Sequence, residues 1–337
     1  MKQTNFDNLT PVFILGIARS GTTLLQSLLD GHPQLLVDVA DSHFVSWYKR
    51  YYRWIDRLKT WSDSFEKRLD FAEAIMISYI FNQKSRYYQD FLSHVSIDGL
   101  KKQFRSLTMA SDQRPQDFIQ SYFHALGLAS GHLTKETRCW VDKSLSYEYL
   151  FYRYLQWWPN AKFIYVIRDP RDVYTSYKKR DIKNKRRTTS VEKFSLTWSN
   201  SFCTMQDCQS MVATKNRYIL RYEDLIYNPQ SIMQSIAKFL DINFQPCLLS
   251  PSKGFGRVPW GGNPESGKKQ KGFIYKDAAR KWEHYLQPSE LGRIESLLGD
   301  QMETLGYTLS RKRQPFISAT LNVVARRFFF RVLNFGL

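Results

Sequence analysis

Cysteine is scarce in this chain. Its four residues, Cys139, Cys203, Cys208 and Cys247, have neither the paired spacing of a metal site nor the density of a disulfide framework. No run of about 18 apolar residues occurs, which excludes a membrane-spanning helix by pattern. Met1 to Thr10 is polar and lacks the apolar centre of a signal peptide. These absences predict a reduced, cytoplasmic protein. Acid is also short: 31 Asp and Glu stand against 49 Lys and Arg, for a formal net charge of +18. A balance of that kind favours anionic partners such as nucleotides, nucleic acid, acidic glycans or a membrane surface. No internal repeat is visible. What the chain does have is apolar material, 43% of residues with 15% aromatic, enough to bury the core of one large α/β domain or two small ones.

One stretch organises the rest. Pro11 to Ile17 is apolar and rich in branched residues, as a strand covered on both faces would be. Gly16 and Gly21 bracket a four-residue loop, and Leu24, Leu25, Leu28 and Leu29 recur at helical spacing until Gly31 and Pro33 stop the helix. A glycine loop that opens a helix cradles phosphate, because backbone N–H groups converge where the helix carries partial positive charge. The spacing is that of a P-loop, but an NTPase places Lys and then Ser/Thr after the second glycine. Here those positions hold Thr22 and Thr23, and the cation lies inside the loop at Arg19. Such a loop can hold a 5′-phosphate and lacks the parts that bind a magnesium triphosphate.

The remaining pattern alternates strands and helices. Leu35–Val39, Cys139–Ser144, Lys162–Ile167 and Arg217–Arg221 read as strands. Helices are predicted over Tyr147–Trp158, Asp172–Arg180, Pro229–Leu240, Lys276–Tyr285 and Ser289–Leu305. Pro251 to Gly272 reads as a long loop. The fold class is therefore α/β, a doubly wound parallel sheet of the P-loop type flanked by helices. A helical insertion of about residues 45–133 follows the second strand and is expected over the sheet edge. Its aromatics and cations interleave, as in Trp47-Tyr48-Lys49-Arg50-Tyr51-Tyr52-Arg53-Trp54. That pattern suits either stacking on nucleic acid or helices that bury their rings and snorkel their cations; the second reading is preferred, with some rings lining an acceptor pocket, and no nucleic acid is expected. Residues 1–310 are read as one domain and 311–337 as a basic, apolar tail. Arg326-Arg327-Phe328-Phe329-Phe330-Arg331 in that tail suits either an anionic membrane surface or a terminal helix docked on the core.

Ala18-Arg19-Ser20-Gly21-Thr22-Thr23-Leu24, followed by Asp30-Gly31-His32-Pro33, resembles the 5′-phosphosulfate loop of sulfotransferases that use 3′-phosphoadenosine 5′-phosphosulfate (PAPS). Ala18 stands where proline is usual. The resemblance is to the branch of tyrosylprotein, glycan and bacterial enzymes, and its motifs are scattered over Val12–Leu240. It implies sulfuryl transfer from PAPS to an acceptor hydroxyl, with 3′,5′-adenosine bisphosphate (PAP) as product and no metal required. By the resemblance Arg19, Ser20, Gly21, Thr22 and Thr23 hold the 5′ end of the donor, Lys143 of Asp142-Lys143-Ser144 reaches the sulfuryl or bridging oxygen, and Arg19 and Lys143 together stabilise the leaving phosphosulfate. Arg168 of Arg168-Asp169-Pro170-Arg171-Asp172, with Ser176 eight positions on, matches the 3′-phosphate motif. Arg180 and Tyr222, in Tyr222-Glu223-Asp224-Leu225, are further nucleotide contacts. Lys271 is assigned to a basic loop over the 3′-phosphate, for which Lys271-Gly272 and Arg280-Lys281-Trp282 are the candidates. The base is placed at Asp41, of Asp41-Ser42-His43-Phe44, where relatives carry Glu; Asp38 and His43 are the alternatives. Arg171 reads equally as a salt-bridged turn. The acceptor is a hydroxyl-bearing glycan, lipid or small molecule, with peripheral membrane contact through the tail as an option. Two other classes compete: a P-loop kinase-like protein, which Thr22 argues against, and a non-catalytic basic module that binds membrane or nucleic acid.

Overall fold

A computed structural model of the chain describes residues 6–38, 41–52, 64–78, 94–145, 148–262 and 270–310. The centre is a parallel sheet of five strands, β1 (Thr10–Gly16), β2 (Leu35–Val37), β3 (Cys139–Leu145), β4 (Lys162–Ile167) and β5 (Arg217–Arg221), in the order β2-β3-β1-β4-β5. β1 sits in the middle and pairs along its whole length with β3, Thr10 opposite Cys139 and Gly16 opposite Leu145. Both faces are covered, so the strand sequences show no polar alternation. Val12, Ile14, Val141 and Ile164 point to one side, packed on Leu25, Leu28 and Leu29 of α1 (Thr22–Leu29). Phe13, Leu15, Trp140, Phe163 and Tyr165 point to the other.

The helical insertion supplies part of that second layer. It contains α2 (Phe44–Tyr52), α3 (Phe65–Glu73), which runs on as a π-turn through Ser78, α4 (Ile97–Met109) and α5 (Pro115–Ser130). α5 lies against the sheet face rather than over its edge: Phe123 stacks on Trp140 at 4.6 Å, and the Tyr122 hydroxyl donates to Asp38 Oδ1 at 3.0 Å. On α2, Phe44 and Trp47 are fully buried, and Trp47 packs on Phe118 at 4.1 Å. These rings belong to the core, not to a stacking platform on the surface. Arg53, Trp54, Tyr79, Val39, Tyr147 and the tail 311–337 lie outside the described residues.

The second half completes the sandwich with α6 (Phe151–Trp157), α7 (Pro170–Lys183), α8 (Val191–Met211), α9 (Tyr222–Tyr227), α10 (Pro229–Leu240), the one-turn α11 (Trp282–Tyr285) and α12 (Pro288–Thr304). Two expectations are corrected. The stretch 276–285 is not one helix: Arg280 adopts φ 59° and breaks it, and the Asp172 carboxylate captures the turn by accepting from the Arg280 and Trp282 amides at 2.8 and 3.1 Å. The loop 251–272 contains a two-stranded hairpin, β6 (Ser252–Lys253) with β7 (Val258–Pro259). Among the described residues no helix is long and apolar enough to cross a membrane.

Arg171 ties the two halves of this layer together. Its buried guanidinium holds Asp169 at 2.7 Å and Glu295 at 2.8 Å, donates to the Thr308 carbonyl at 3.0 Å and lies 4.0 Å over the Trp282 ring. Replacing it by methionine leaves two buried carboxylates unpaired. Arg171→Met is expected to lower stability by about 3–5 kcal/mol, read as a shift of the urea midpoint at unchanged slope.

Candidate functional site

The phosphate-loop geometry begins with three residues of positive φ: Gly16 at 137°, Arg19 at 74° and Gly21 at 106°. A side chain at Gly16 would place its Cβ 2.5 Å from the Val166 carbonyl oxygen, so only glycine lets β1 turn this close to β4. The loop is pinned by Ser20, whose amide and hydroxyl both donate to the Ile17 carbonyl, at 3.2 and 2.8 Å. Both donors of Ser20 are therefore spent on the turn. Gly21 precedes α1 without a side-chain cap. The first amides of the helix are left for an anion. Thr22 is buried at the first helical position, and Thr23 follows it.

Two distant motifs close on this loop. Arg19 Nε donates to Ser176 Oγ at 2.8 Å, across 157 residues of sequence. Arg168, at the end of β4, donates from its two terminal nitrogens to the Arg19 carbonyl at 3.1 Å and the Ala278 carbonyl at 2.6 Å. Its guanidinium lies 4.3 Å over the ring of Tyr222 and 3.6 Å from Asp172. Burial pushes the Asp172 carboxyl up, and the Arg168 charge opposes this. Arg168 Nε is buried with no hydrogen-bond partner among the described residues. Tyr222 is held between that guanidinium and the loop, for a Cβ on Gly21 would sit 2.1 Å from its Cδ2. Burial pushes the Tyr222 hydroxyl up, and Arg168 pulls it the other way.

A cavity of about 150 Å³ opens beside these groups. Arg168, Thr175, Ser176 and Tyr222 form its inner wall, and Lys179 and Lys281 bring two cations. Trp260, Phe273 and Tyr275 bring flat apolar surface from the loop after β7. None of those three rings belongs to a readable motif. Lys281 could have been found through Arg280-Lys281-Trp282, and Lys179 through the basic end of α7. Lys271 is exposed and does not line the cavity; its side chain runs beside Gly261. Arg180 is half-buried, with its guanidinium on Asp181 at 2.7 Å and over the Tyr177 ring at 4.4 Å.

At the first turn of α1, Lys143 and Asp41 meet. Lys143, whose side chain is only 6% exposed, sits 2.9 Å from Asp41 Oδ1 and donates to Thr23 Oγ1 at 3.1 Å. The parallel pairing of β3 with β1, with Lys143 opposite Ile14, brings it to the loop's edge of the sheet. His43 feels the same pair: burial lowers its pKa, Asp41 raises it and Lys143 lowers it. Asp38 is buried deeper, with its carboxylate on Tyr122. A cation, a carboxylate and a helix N-terminus thus share one strand-end cleft, where open α/β sheets bind ligands.

These features define an α/β protein of the P-loop type whose loop carries arginine inside it and threonine where nucleotide hydrolases carry lysine. The chain belongs to the sulfotransferase family, whose model matches residues 11–246. It is 23% identical over 257 residues to protein-tyrosine sulfotransferase A of Caenorhabditis elegans, an alignment covering 73% of this chain and 53% of the relative. It is 21% identical over 266 residues to omega-hydroxy-beta-dihydromenaquinone-9 sulfotransferase Stf3 of Mycobacterium tuberculosis, covering 71% of this chain and 64% of the relative. The chain thus spans between half and two thirds of the length of these curated relatives. Among solved structures, the sulfotransferase domain from the curacin biosynthetic pathway superposes with a TM-score of 0.52 at 22% identity, over 89% of this chain and 99% of that one. The sulfotransferase domain of the Synechococcus PCC 7002 olefin synthase gives 0.51 at 22% identity, over 91% and 98%. These two likenesses carry the fold.

Proposed function

We propose that the chain transfers a sulfuryl group from PAPS to a hydroxyl of its acceptor, with residues 1–310 acting as one domain. The observation that carries this reading is the direct contact of Arg19 with Ser176 under Arg168. It unites a 5′-phosphate loop with a second anion site on the next strand. The residues suit the donor: Arg168 lines a cavity that also holds two lysines and three aromatic rings, and its buried Nε has no hydrogen-bond partner among the described residues. PAPS, when bound, supplies an activated sulfuryl group on a phosphate leaving group.

Arg19 and the amides of Gly21 to Thr23 would hold the 5′-phosphate. Arg168, Ser176, Lys179 and Lys281 would take the 3′-phosphate, and Trp260, Phe273 and Tyr275 the base. Lys143 would neutralise the charge that grows on the bridging oxygen as its bond to sulfur breaks. Asp41 would accept the acceptor's hydroxyl proton as the new oxygen–sulfur bond forms. For that, Lys143 must leave Asp41 for the donor, which frees the carboxylate to act as base. The relatives' names bracket the acceptor class: one set is named for protein tyrosine and the other for an omega-hydroxy-beta-dihydromenaquinone, and both acceptors carry a hydroxyl.

Thermal denaturation with PAP, 5′-AMP and magnesium ATP in parallel tests the donor assignment. A ligand that binds the native state alone adds stability as RT ln(1 + [L]/Kd), about 2.7 kcal/mol at a hundredfold excess over Kd. PAP is expected to raise the midpoint by several degrees, with little effect from 5′-AMP. Arg168→Ala is expected to abolish most of the PAP shift. A shift with magnesium ATP alone would overturn the reading in favour of a kinase-like protein.

A further inference from the structure

Lys253 is a buried cation that the scheme above leaves unused. It lies on β6, in a hairpin clamped to the end of α1. The Asp30 carboxylate accepts from Ser252 Oγ at 2.8 Å, from the Phe255 amide at 3.0 Å and from the Gly256 amide at 2.8 Å. Gly31 and Gly256 lie back to back, so close that a Cβ on Gly31 would fall 2.6 Å from Gly256 Cα. The clamp turns the Lys253 side chain inward, and the residue is 7% exposed.

Its ammonium donates to Gln26 Oε1 at 2.8 Å, and Gln26 Nε2 donates to the Asp38 carbonyl at 2.9 Å. Gln26 stands three residues after Thr23 on α1. Positions three apart share a helix face, with about 5–6 Å between their Cβ atoms. Lys143 on Thr23 and Lys253 on Gln26 are therefore neighbouring ammonium groups on one face of the helix. Their circumstances differ. Lys143 has Asp41, whereas among the described residues Lys253 has a neutral amide as its acceptor and no carboxylate at ion-pair distance. An ammonium carries three donors, and a buried charge needs a charged or well hydrogen-bonded partner.

We propose that Lys253 is a second sulfuryl-binding cation, which with Lys143 holds the oxygens of the group being transferred. The inference rests on the PAPS reading and adds to it a residue from a hairpin far along the chain. The electrostatics agree with the geometry. Burial pushes the Lys253 ammonium down to about 8, helped by Lys143 on β3 and opposed by Asp30 at the end of α1 and by Asp41 and Asp38 after β2. A dianionic or anionic oxygen cluster between the two lysines would relieve both the burial and the mutual repulsion.

The test compares the affinities of PAPS and PAP without acceptor, by competition calorimetry, in wild type, Lys253→Met and Lys253→Gln. The glutamine variant keeps a donor for Gln26 and serves if the methionine variant does not fold. The sulfuryl group is present in PAPS and missing from PAP, so both variants are expected to bind PAPS about tenfold more weakly and PAP within about twofold of wild type. In the wild type the preference for PAPS is expected to shrink as the pH rises from 7 through about 8, as Lys253 loses its proton, and to be flat in the variants. Equal losses for both nucleotides would overturn the proposal and make Lys253 a prop for Gln26 and Asp38. Unchanged affinities, or a wild-type preference that ignores pH, would overturn it too. Wild-type protein that binds neither nucleotide would remove the donor reading itself, and this assignment with it.

Discussion

Lys143→Ala is expected to lower turnover by about 10³-fold while leaving PAP affinity within about threefold. The estimate follows from the cost of removing one preorganised donor from a site where charge develops, about 10²–10³ in rate, raised by the loss of the group that orients Asp41. Lys143 touches Thr23 and Asp41, and none of the three lines the cavity of Arg168, Lys179 and Lys281. Binding of the bisphosphate product should therefore survive. Lys143→Arg is not expected to rescue the rate, because a planar guanidinium cannot occupy the compact position between a hydroxyl and a carboxylate. The measurement is steady-state consumption of PAPS with an accepted hydroxyl compound, set beside PAP titration of the same preparations. Normal turnover would take Lys143 out of the chemistry. A parallel loss of PAP affinity would move it to the donor-binding set.

How much of this was legible in the sequence depends on how local each feature is. The strand, glycine loop and helix of residues 10–29 are fixed by short-range pattern: the structure places β1, β4, β5 and α10 within a residue of the spans read from that pattern, and α1 over the leucines Leu24 to Leu29. Motifs at strand ends were legible for the same reason: a parallel sheet carries every strand's C-terminal end to one edge, so Arg19, Lys143 and Arg168 converge once the strands are known. The direct Arg19–Ser176 bond was not legible, because it depends on how α7 leaves β4. α8 was missed because its 21 residues mix Ser, Thr, Asn and Gln among the core positions Phe194, Trp198, Phe202 and Met205, which blurs the helical period. The break in the helix expected over 276–285 comes from Asp172, more than a hundred residues away, and no window of local sequence contains it.

In the sequence the hairpin of Lys253 and Trp260 read only as loop, and Phe273 and Tyr275 fall in no element that the pattern defines. Loop residues have no period, and what aims them is tertiary: the Asp30 clamp and the Gly31–Gly256 contact. In the sequence the Asp30-Gly31 pair reads as part of a family motif that ends a helix. Its structural task is wider, since Asp30 is the anchor of the segment that covers the site. The aromatic insertion shows the converse. Its interleaved rings and cations suit nucleic acid as well as a core, and the preferred reading, burial, agrees with Phe44, Trp47 and Phe118 in the core, because burial of large rings is the stronger demand on a helix laid against a sheet.

Gly21→Ala is expected to have a large effect for the addition of one methyl group. Two costs combine there. Gly21 holds φ at 106°, a conformation an alanine adopts at about 1–3 kcal/mol. The added Cβ would also fall 2.1 Å from Tyr222 Cδ2, and overpacking of this kind costs about 1–3 kcal/mol more. The ring cannot yield freely, because the Arg168 guanidinium lies 4.3 Å over it and Arg168 in turn holds the Arg19 carbonyl. Displacing Tyr222 therefore disturbs both halves of the anion site, and PAP affinity is expected to fall by about a hundredfold or more, roughly the worth of two charge-assisted hydrogen bonds. The two costs separate in a double-mutant cycle. In a Tyr222→Ala background the clash is gone and the backbone strain remains, so Gly21→Ala should cost about 1–3 kcal/mol less by urea denaturation than it does in the wild type. Strict additivity would mean that the ring does not press on the loop, and that the geometry linking Gly21, Tyr222 and Arg168 is not what holds the phosphate loop in shape.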